Sequence, residues 1–158
     1  MKSANGVKLE LKQLPSPIPF KGLGFRDTLD VPNHQALSRS LEFMERNYTR
    51  PIQVADVVIA SEMSRRGFLK AFRKFFGRAP GLFIRQARIE LAKRLLTEHD
   101  LPLKTIASIT GFRSHNSFYV AFHRETGVTP KTFQRHAWLS VYRSASFRKN
   151  SQFQEVIQ

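Results

Sequence analysis

Two stretches of the chain combine hydrogen-bonding, cationic and apolar side chains at helical spacing. The first, Ser64 to Phe76, contains five Lys or Arg residues and no acid. The second, Ser114 to Thr126, contains one Arg, one Glu and two His residues. Near the start of a helix, Arg and Asn can form paired hydrogen bonds with guanine and adenine edges, and Leu, Tyr or Val can contact thymine methyl groups. These side chains at this spacing therefore favour a role in recognising base edges in the groove of a nucleic acid.

The two stretches are copies of one pattern. Ser leads each copy, Phe follows at +4 and +8, Gly at +13 and Pro at +16. Each copy follows a short apolar segment. The two copies are 50 residues apart from the leading serine onward, but their apolar segments are 49 residues apart. The second copy therefore has one extra residue in its turn, near Gly111. A repeat of this length indicates a duplicated supersecondary unit. The sequence therefore predicts two helix-turn-helix units.

Other elements must position these units. Asn33 is a candidate N-cap for a helix over 34–48, and Pro51 and Pro102 are each predicted at the start of a short helix. Pro80 opens a helix to about Thr97, with an apolar stripe at i, i+4 spacing. Thr129-Pro130 is expected to open a last helix to about Ala137 or Trp138. We predict an all-α fold of seven helices, in which two helix-turn-helix subdomains are joined by a long linker helix.

Composition divides the chain into three parts. Residues 1–33 are rich in Pro and Gly, which predicts an irregular leader or the remnant of an upstream sensor-domain tail. Residues 34–138 are predicted to form the domain. Residues 139–158 show no clear period and are predicted to be a flexible tail.

The charge points to a polyanionic partner, nucleic acid before membrane. The net charge is +14 and the isoelectric point is near 11.0. The absence of cysteine excludes a disulfide framework and a thiolate metal site. No apolar stretch resembles a signal peptide or a membrane span, so we expect a cytoplasmic protein.

The faces of the two repeated helices have different predicted roles. Phe68, Phe72, Phe118 and Phe122 are expected to pack in the core rather than stack on bases. The two leading serines could cap their helices or hold phosphates, and a cap is the favoured interpretation. The predicted phosphate contacts are Ser64, Arg65, Arg73, Lys74, Ser114, His123, Arg124, Lys131 and Arg135.

Three other classes of function fit less well. An enzyme would need paired carboxylates, an activated nucleophile or metal ligands, and neither the 12 acids nor the five His show such spacing. We therefore predict no enzymatic activity, no cofactor and no metal site. An RNA-binding protein fits less well because the major groove of duplex RNA is too deep and narrow to admit a recognition helix. A membrane-surface protein would need a free apolar helix face.

Short motifs accompany the repeat: Ile106-Ala107, Gly111-Phe112-Arg113-Ser114, Thr129-Pro130 and Phe133-Gln134-Arg135, together with Ala87-Arg88-Ile89-Glu90 in the linker. These motifs resemble those of the AraC/XylS family. The resemblance implies a bacterial transcription factor, usually an activator, that binds double-stranded DNA through two helix-turn-helix units. The base-reading positions implied by this resemblance are Arg66, Leu69, Lys70, His115, Asn116, Tyr119 and Val120.

The chain departs from the family pattern in its second unit. Val120 stands where members often have Arg, and His123-Arg124-Glu125 is less basic than usual. Both differences imply fewer polar contacts with DNA from this unit.

Family members commonly carry a ligand-sensing domain, which we do not find in this sequence. The segment Pro15–Asp30 is similar to the tail that leaves the sugar-binding domain of xylose-operon activators, and an unrelated leader is the alternative. Because members of the family are usually transcription activators, the resemblance implies RNA polymerase as a partner. It also implies a sugar-type effector acting only through a sensor domain absent from this chain.

Overall fold

The computed structural model describes residues 33–140, which form seven helices and, within that range, no strand. The predicted leader up to residue 32 and the predicted tail from residue 141 lie outside the described residues. The first six helices are α1 (His34–Asn47), α2 (Val54–Ser61), α3 (Arg65–Phe76), α4 (Pro80–Glu98), α5 (Leu103–Ile109) and α6 (His115–Thr126). The last, α7, covers residues 130–140. The predicted all-α class and the number of helices are confirmed.

Several predicted helix ends need correction. Asn33 has a left-handed backbone (φ 72°) and its side chain makes no capping hydrogen bond, so it precedes α1 without capping it. Pro51 lies in the turn after α1, and α2 begins only at Val54. The reason is that Asp56 accepts a 2.7 Å hydrogen bond from the Gln53 amide, which sets the start of the helix there.

Proline positions predicted two of the other helix starts more closely. Pro80 is the first residue of α4, as predicted, whereas Pro102 is the capping residue just before α5. Thr129 caps α7, because its hydroxyl accepts a 3.2 Å hydrogen bond from the Thr132 amide. The helix then continues through 139 and 140, which were predicted to belong to the tail.

The two helix-turn-helix units are α2–α3 and α5–α6, and α1 packs against the first of them. The first turn covers 62–64 and the second covers 110–114. The second turn is longer by the predicted extra residue near Gly111 and by the earlier end of α5. Gly111 has φ 82°, a left-handed conformation that glycine adopts without strain.

Equivalent phenylalanines anchor the two units. The ring of Phe72 in α3 meets Phe83 in α4 at 5.7 Å, nearly perpendicular. The ring of Phe122 in α6 meets Phe133 in α7 in the same way at 5.4 Å. In both pairs the partner lies 11 residues further along the chain. The duplication therefore extends into the helix that follows each unit.

The linker helix α4 is buried on more than its predicted stripe. Phe83, Ala87, Leu91 and Leu95 are buried as expected, but Ile89 on another side is also only 2% exposed. Buried residues of both units and of α4 form one connected cluster. The linker is thus a central element packed between the units rather than an exposed rod.

None of the helices between residues 33 and 140 has the length and apolarity needed to cross a bilayer.

Candidate nucleic-acid interface

Side-chain caps set the start of both predicted recognition helices. Ser64 accepts a hydrogen bond from the Gly67 amide at 3.2 Å at the start of α3. Ser114 accepts one from the Ser117 amide at 3.1 Å at the start of α6. The favoured interpretation of both serines as caps is confirmed. A phosphate contact from either hydroxyl stays a prediction.

The helix α3 has one buried face and one cationic face. Phe68 and Phe72 are fully buried, which turns the opposite side of the helix towards solvent. Leu69 differs from the other predicted base-reading residues because it is half-buried and packs partly against the core. Only part of that side chain can reach a ligand. The exposed residues of this face are Arg65, Arg66, Lys70, Arg73 and Lys74.

The helix α6 repeats this arrangement with less charge. Phe118 and Phe122 are fully buried, and the opposite face exposes Tyr119 and 58% of Val120. The imidazole of His115 lies 6.2 Å from the Tyr119 ring, so the two form one aromatic surface. Exposed apolar groups at these positions could contact thymine methyl groups. The other exposed residues of this face are Asn116, His123 and Arg124.

The helix α7 adds two cations beside α6. Lys131 and Arg135 are exposed and line an open depression of about 350 Å³ together with Tyr119 and Trp138. The Trp138 indole donates a hydrogen bond to the Leu96 carbonyl at 3.3 Å, which ties α7 to the end of α4. The structure thus brings predicted phosphate and base contacts from α6 and α7 to one surface.

Charge is segregated along the chain. From Ser64 to Ile89 there are eight Lys or Arg residues and no acid. Acids neutralise cations elsewhere: three ion pairs of the described residues are Arg39–Glu62 at 3.3 Å, Arg46–Glu42 at 3.8 Å and Lys93–Glu90 at 2.7 Å. These pairs lie on α1, on α4 and at the first turn. The exposed side of α3 therefore has a positive potential suited to a polyanion.

The predicted residues do not form a single cluster. They lie at three places, α3 with its cap, α6 with its cap, and α7. The buried phenylalanines of α3 and α6 belong to the same core. Sequence reasoning did not include Arg113 among the candidates, and the structure exposes it immediately before the Ser114 cap. Its basic type next to a helix start was the feature that could have identified it as a candidate.

Within 33–140 there is no group of three His, Cys, Asp or Glu residues that could hold a metal ion.

The similarities to known proteins agree with this geometry. A family model described as a helix-turn-helix domain matches residues 59–136. An AraC-like transcription regulator of Streptomyces antibioticus is 28% identical over 130 residues, which cover 82% of this chain and 41% of the relative. The xylose operon regulatory protein of Haemophilus influenzae is 29% identical over 138 residues, covering 84% of this chain and 34% of the relative.

A solved structure shows the same fold on DNA. The DNA-binding domain of AdpA, a global transcriptional factor, in complex with a target DNA matches with a TM-score of 0.59 and 26% identity, covering 70% of this chain and 95% of that one. The chain spans about a third to two fifths of the length of the two relatives above. By its motifs, its fold and these similarities, the chain belongs to the AraC family of transcriptional regulators.

Proposed function

We propose that this chain is a sequence-specific, double-stranded DNA-binding regulator of transcription, acting as an activator. It would insert α3 and α6 into successive major-groove segments of an operator or promoter. The observation that carries the proposal is that both helices start at a serine cap, bury two phenylalanines and expose a face of donors and apolar groups. The DNA-bound AdpA domain supports this use of the fold.

Base recognition is assigned to the exposed faces of the two helices. Arg66 and Asn116 lie in the first helical turns, where a helix approaches base edges most closely. Arg pairs best with guanine and Asn with adenine, while apolar groups contact thymine methyls. The proposed base-reading residues are Arg66, Leu69, Lys70, His115, Asn116, Tyr119 and Val120.

Phosphate contacts would fix the register of the helices on the duplex. Cations and hydroxyls at the edges of the recognition helices and on α7 are suited to this role because such contacts need no base geometry. The proposed residues are Ser64, Arg65, Arg73, Lys74, Ser114, His123, Arg124, Lys131 and Arg135.

The wider partners follow from the family. We propose that the chain contacts RNA polymerase as an activator and acts in the cytoplasm. A sugar-type effector would act only through a sensor domain outside this sequence, a proposal supported by similarity to a xylose operon regulator.

In vitro selection from a random duplex library, followed by hydroxyl-radical footprinting of the selected duplex, tests the function. We expect a non-palindromic footprint with two protected major-groove segments about one helical turn, roughly 34 Å, apart. The variant Arg66→Ala should weaken binding, whereas Lys93→Ala, which removes a cation paired to Glu90 on α4, should not. Equal affinity for the selected duplex, a scrambled duplex and RNA would refute the proposal, as would protection of only one short segment.

A further inference from the structure

The loop between α1 and α2 is held by a residue of the linker helix. The guanidinium of Arg88 donates from Nε to the Tyr48 carbonyl at 2.8 Å and from Nη2 to the Arg50 carbonyl at 2.7 Å. A longer contact of 3.4 Å joins Nη2 to the Ile52 carbonyl. One side chain of α4 thus satisfies carbonyl groups along the loop that leads into the first unit.

The same loop touches the turn of the second unit. A Cβ placed on Gly111 would lie 2.7 Å from the Tyr48 carbonyl oxygen and 2.8 Å from the Thr49 carbonyl carbon. No side chain fits in that space, so the two backbones are in direct contact. The Arg88 guanidinium also lies 5.8 Å from the centre of the Phe112 ring in that turn. The loop between α1 and α2, the linker helix and the turn of the second unit therefore meet at one point.

Arg88 occupies a position on α4 where an apolar residue would be expected. Its i−4, i+3, i+4 and i+7 neighbours on the helix are all buried: Ile84, Leu91, Ala92 and Leu95. Burial lowers the pKa of Arg88, and nearby Arg113 lowers it further. A partly buried guanidinium is costly unless its donors are satisfied, and here backbone carbonyls satisfy them. An apolar side chain could fill this space but could not bind those carbonyls.

We propose that Arg88 is a positioning residue that, with the backbone contact at Gly111, holds the two helix-turn-helix units in one relative orientation. It thereby sets the spacing between the two DNA half-sites that the chain accepts. This inference rests on the proposed function, in which both units enter the groove.

The geometry of B-DNA makes spacing sensitive to that orientation. One added base pair moves the second half-site by about 3.4 Å and rotates it by about 34° around the duplex. The segments that connect α4 to its neighbours are short coils, 77–79 and 99–102, which can absorb a change in angle. A planar guanidinium that binds several carbonyls restrains direction, whereas a lysine ammonium acts as a point charge.

The first test compares the spacings selected by variants. Wild-type chain, Arg88→Gln and Lys93→Gln are each used to select duplexes from a random library, since Lys93→Gln removes the same charge from α4 outside the contact. We expect wild type and Lys93→Gln to select two half-motifs at one spacing. Arg88→Gln should select the same half-motifs at several spacings. It should lose roughly tenfold in affinity for the wild-type spacing, because the second unit no longer binds as part of one rigid body.

The outcomes separate the two proposals. If wild type selects no two-part motif, the proposed function fails. If wild type selects one and Arg88→Gln keeps its single spacing, Arg88 only stabilises the fold and the inference is wrong. An equal loss of affinity for an isolated half-motif and for the complete site would also contradict it.

A second measurement needs no DNA. The chain has no cysteine, so Gln35→Cys on α1 and Ser108→Cys on α5, both at exposed positions, introduce two unique sites for spin labels. We expect a narrow distance distribution in the otherwise wild-type chain and in Lys93→Gln, and a broader one in Arg88→Gln. Circular dichroism first establishes that each variant is folded. If Arg88→Gln is not, Arg88→Lys replaces it, and an unchanged distribution in the folded variant would overturn the inference.

Discussion

Ser114 and Ser117 cap each other at the start of α6. The Ser114 hydroxyl accepts from the Ser117 amide at 3.1 Å, and the Ser117 hydroxyl accepts from the Ser114 amide at 3.2 Å. At the start of α3, Ser64 caps alone because Gly67 stands at the position equivalent to Ser117. The less charged recognition helix thus has the more complete cap, and the more cationic one has at its third position a glycine, which has no side chain to complete the cap.

Removing either serine cap should destabilise the fold. Ser64→Ala and Ser114→Ala should each lower the free energy of unfolding by about 1 kcal/mol, because a free amide loses its acceptor. Adding Ser117→Ala to Ser114→Ala should lower it further, since the second amide then also loses its partner. Urea unfolding measures these changes. Ser108→Ala, at an exposed position on α5, is the control, and equal stability of all these variants would contradict the role of the caps.

The two recognition helices should contribute unequally to affinity. Arg66→Ala should cost roughly 1–3 kcal/mol and relax the base preference at one position. Asn116→Ala should cost less binding free energy, because α6 carries little net charge. It should still reduce the base preference at one position of the duplex, expected to be an adenine. Titrations of a selected duplex and of its single-base variants measure both effects. An equal or larger loss of affinity for Asn116→Ala would show that the charge of the two recognition helices does not determine their contributions to affinity. The exposed Arg113 beside α6 would then be the first candidate for the additional contribution of the second unit.

Binding should weaken steeply with salt. Each neutralised phosphate contributes about 0.9 to the slope of log affinity against log salt, and the exposed cations predict a slope on the order of 5 to 8. Titration of one duplex at several KCl concentrations gives the slope. A nearly flat response would exclude the nucleic-acid function, whereas Lys74→Ala alone should reduce the slope by about 1.

Stability should fall at alkaline pH through Tyr48. Burial raises the pKa of the Tyr48 phenol above 10.0, with Arg94 opposing this effect and Glu45 reinforcing it. The unfolded chain therefore ionises first as pH passes about 10. The contribution of the neutral Tyr48 phenol to stability is complete below that pH and is lost as the pH rises through the pKa of Tyr48 in the folded state. Urea unfolding from about pH 9 to about pH 11 should show this loss in wild type and in Tyr119→Phe, but a smaller one in Tyr48→Phe. The same change of stability with pH in all three proteins would contradict the role of Tyr48.

The leader should be dispensable for the fold. Deleting residues 1–32 should leave helical content and affinity for a selected duplex nearly unchanged, because Pro and Gly in this segment disfavour a packed element, whereas the core cluster of the described residues is built from Leu37 onward. Circular dichroism and titration of the shortened chain test this. If it unfolds or loses binding, the domain boundary proposed at residue 34 is wrong.

Local patterns in the sequence were sufficient for the number of helices and for the main buried face of α3 and α6. Helix periodicity and capping depend on residues three or four positions apart, so the repeated Ser and Phe spacing predicted α3 and α6 and the burial of Phe68, Phe72, Phe118 and Phe122. Net charge likewise depends on composition alone, and it predicted a polyanionic partner before any packing was known.

Contacts between distant residues were decided only by the tertiary structure. Ile89 is buried because α4 is packed on more than one side, and Leu69 is half-buried because the core lies beneath it. Arg88 binds the Tyr48 carbonyl 40 residues away, and Gly111 touches the same loop. No local pattern encodes which loop meets which turn, since that choice depends on how the helices pack together. The sequence therefore predicted the two recognition surfaces, but only packing determined how one is oriented relative to the other.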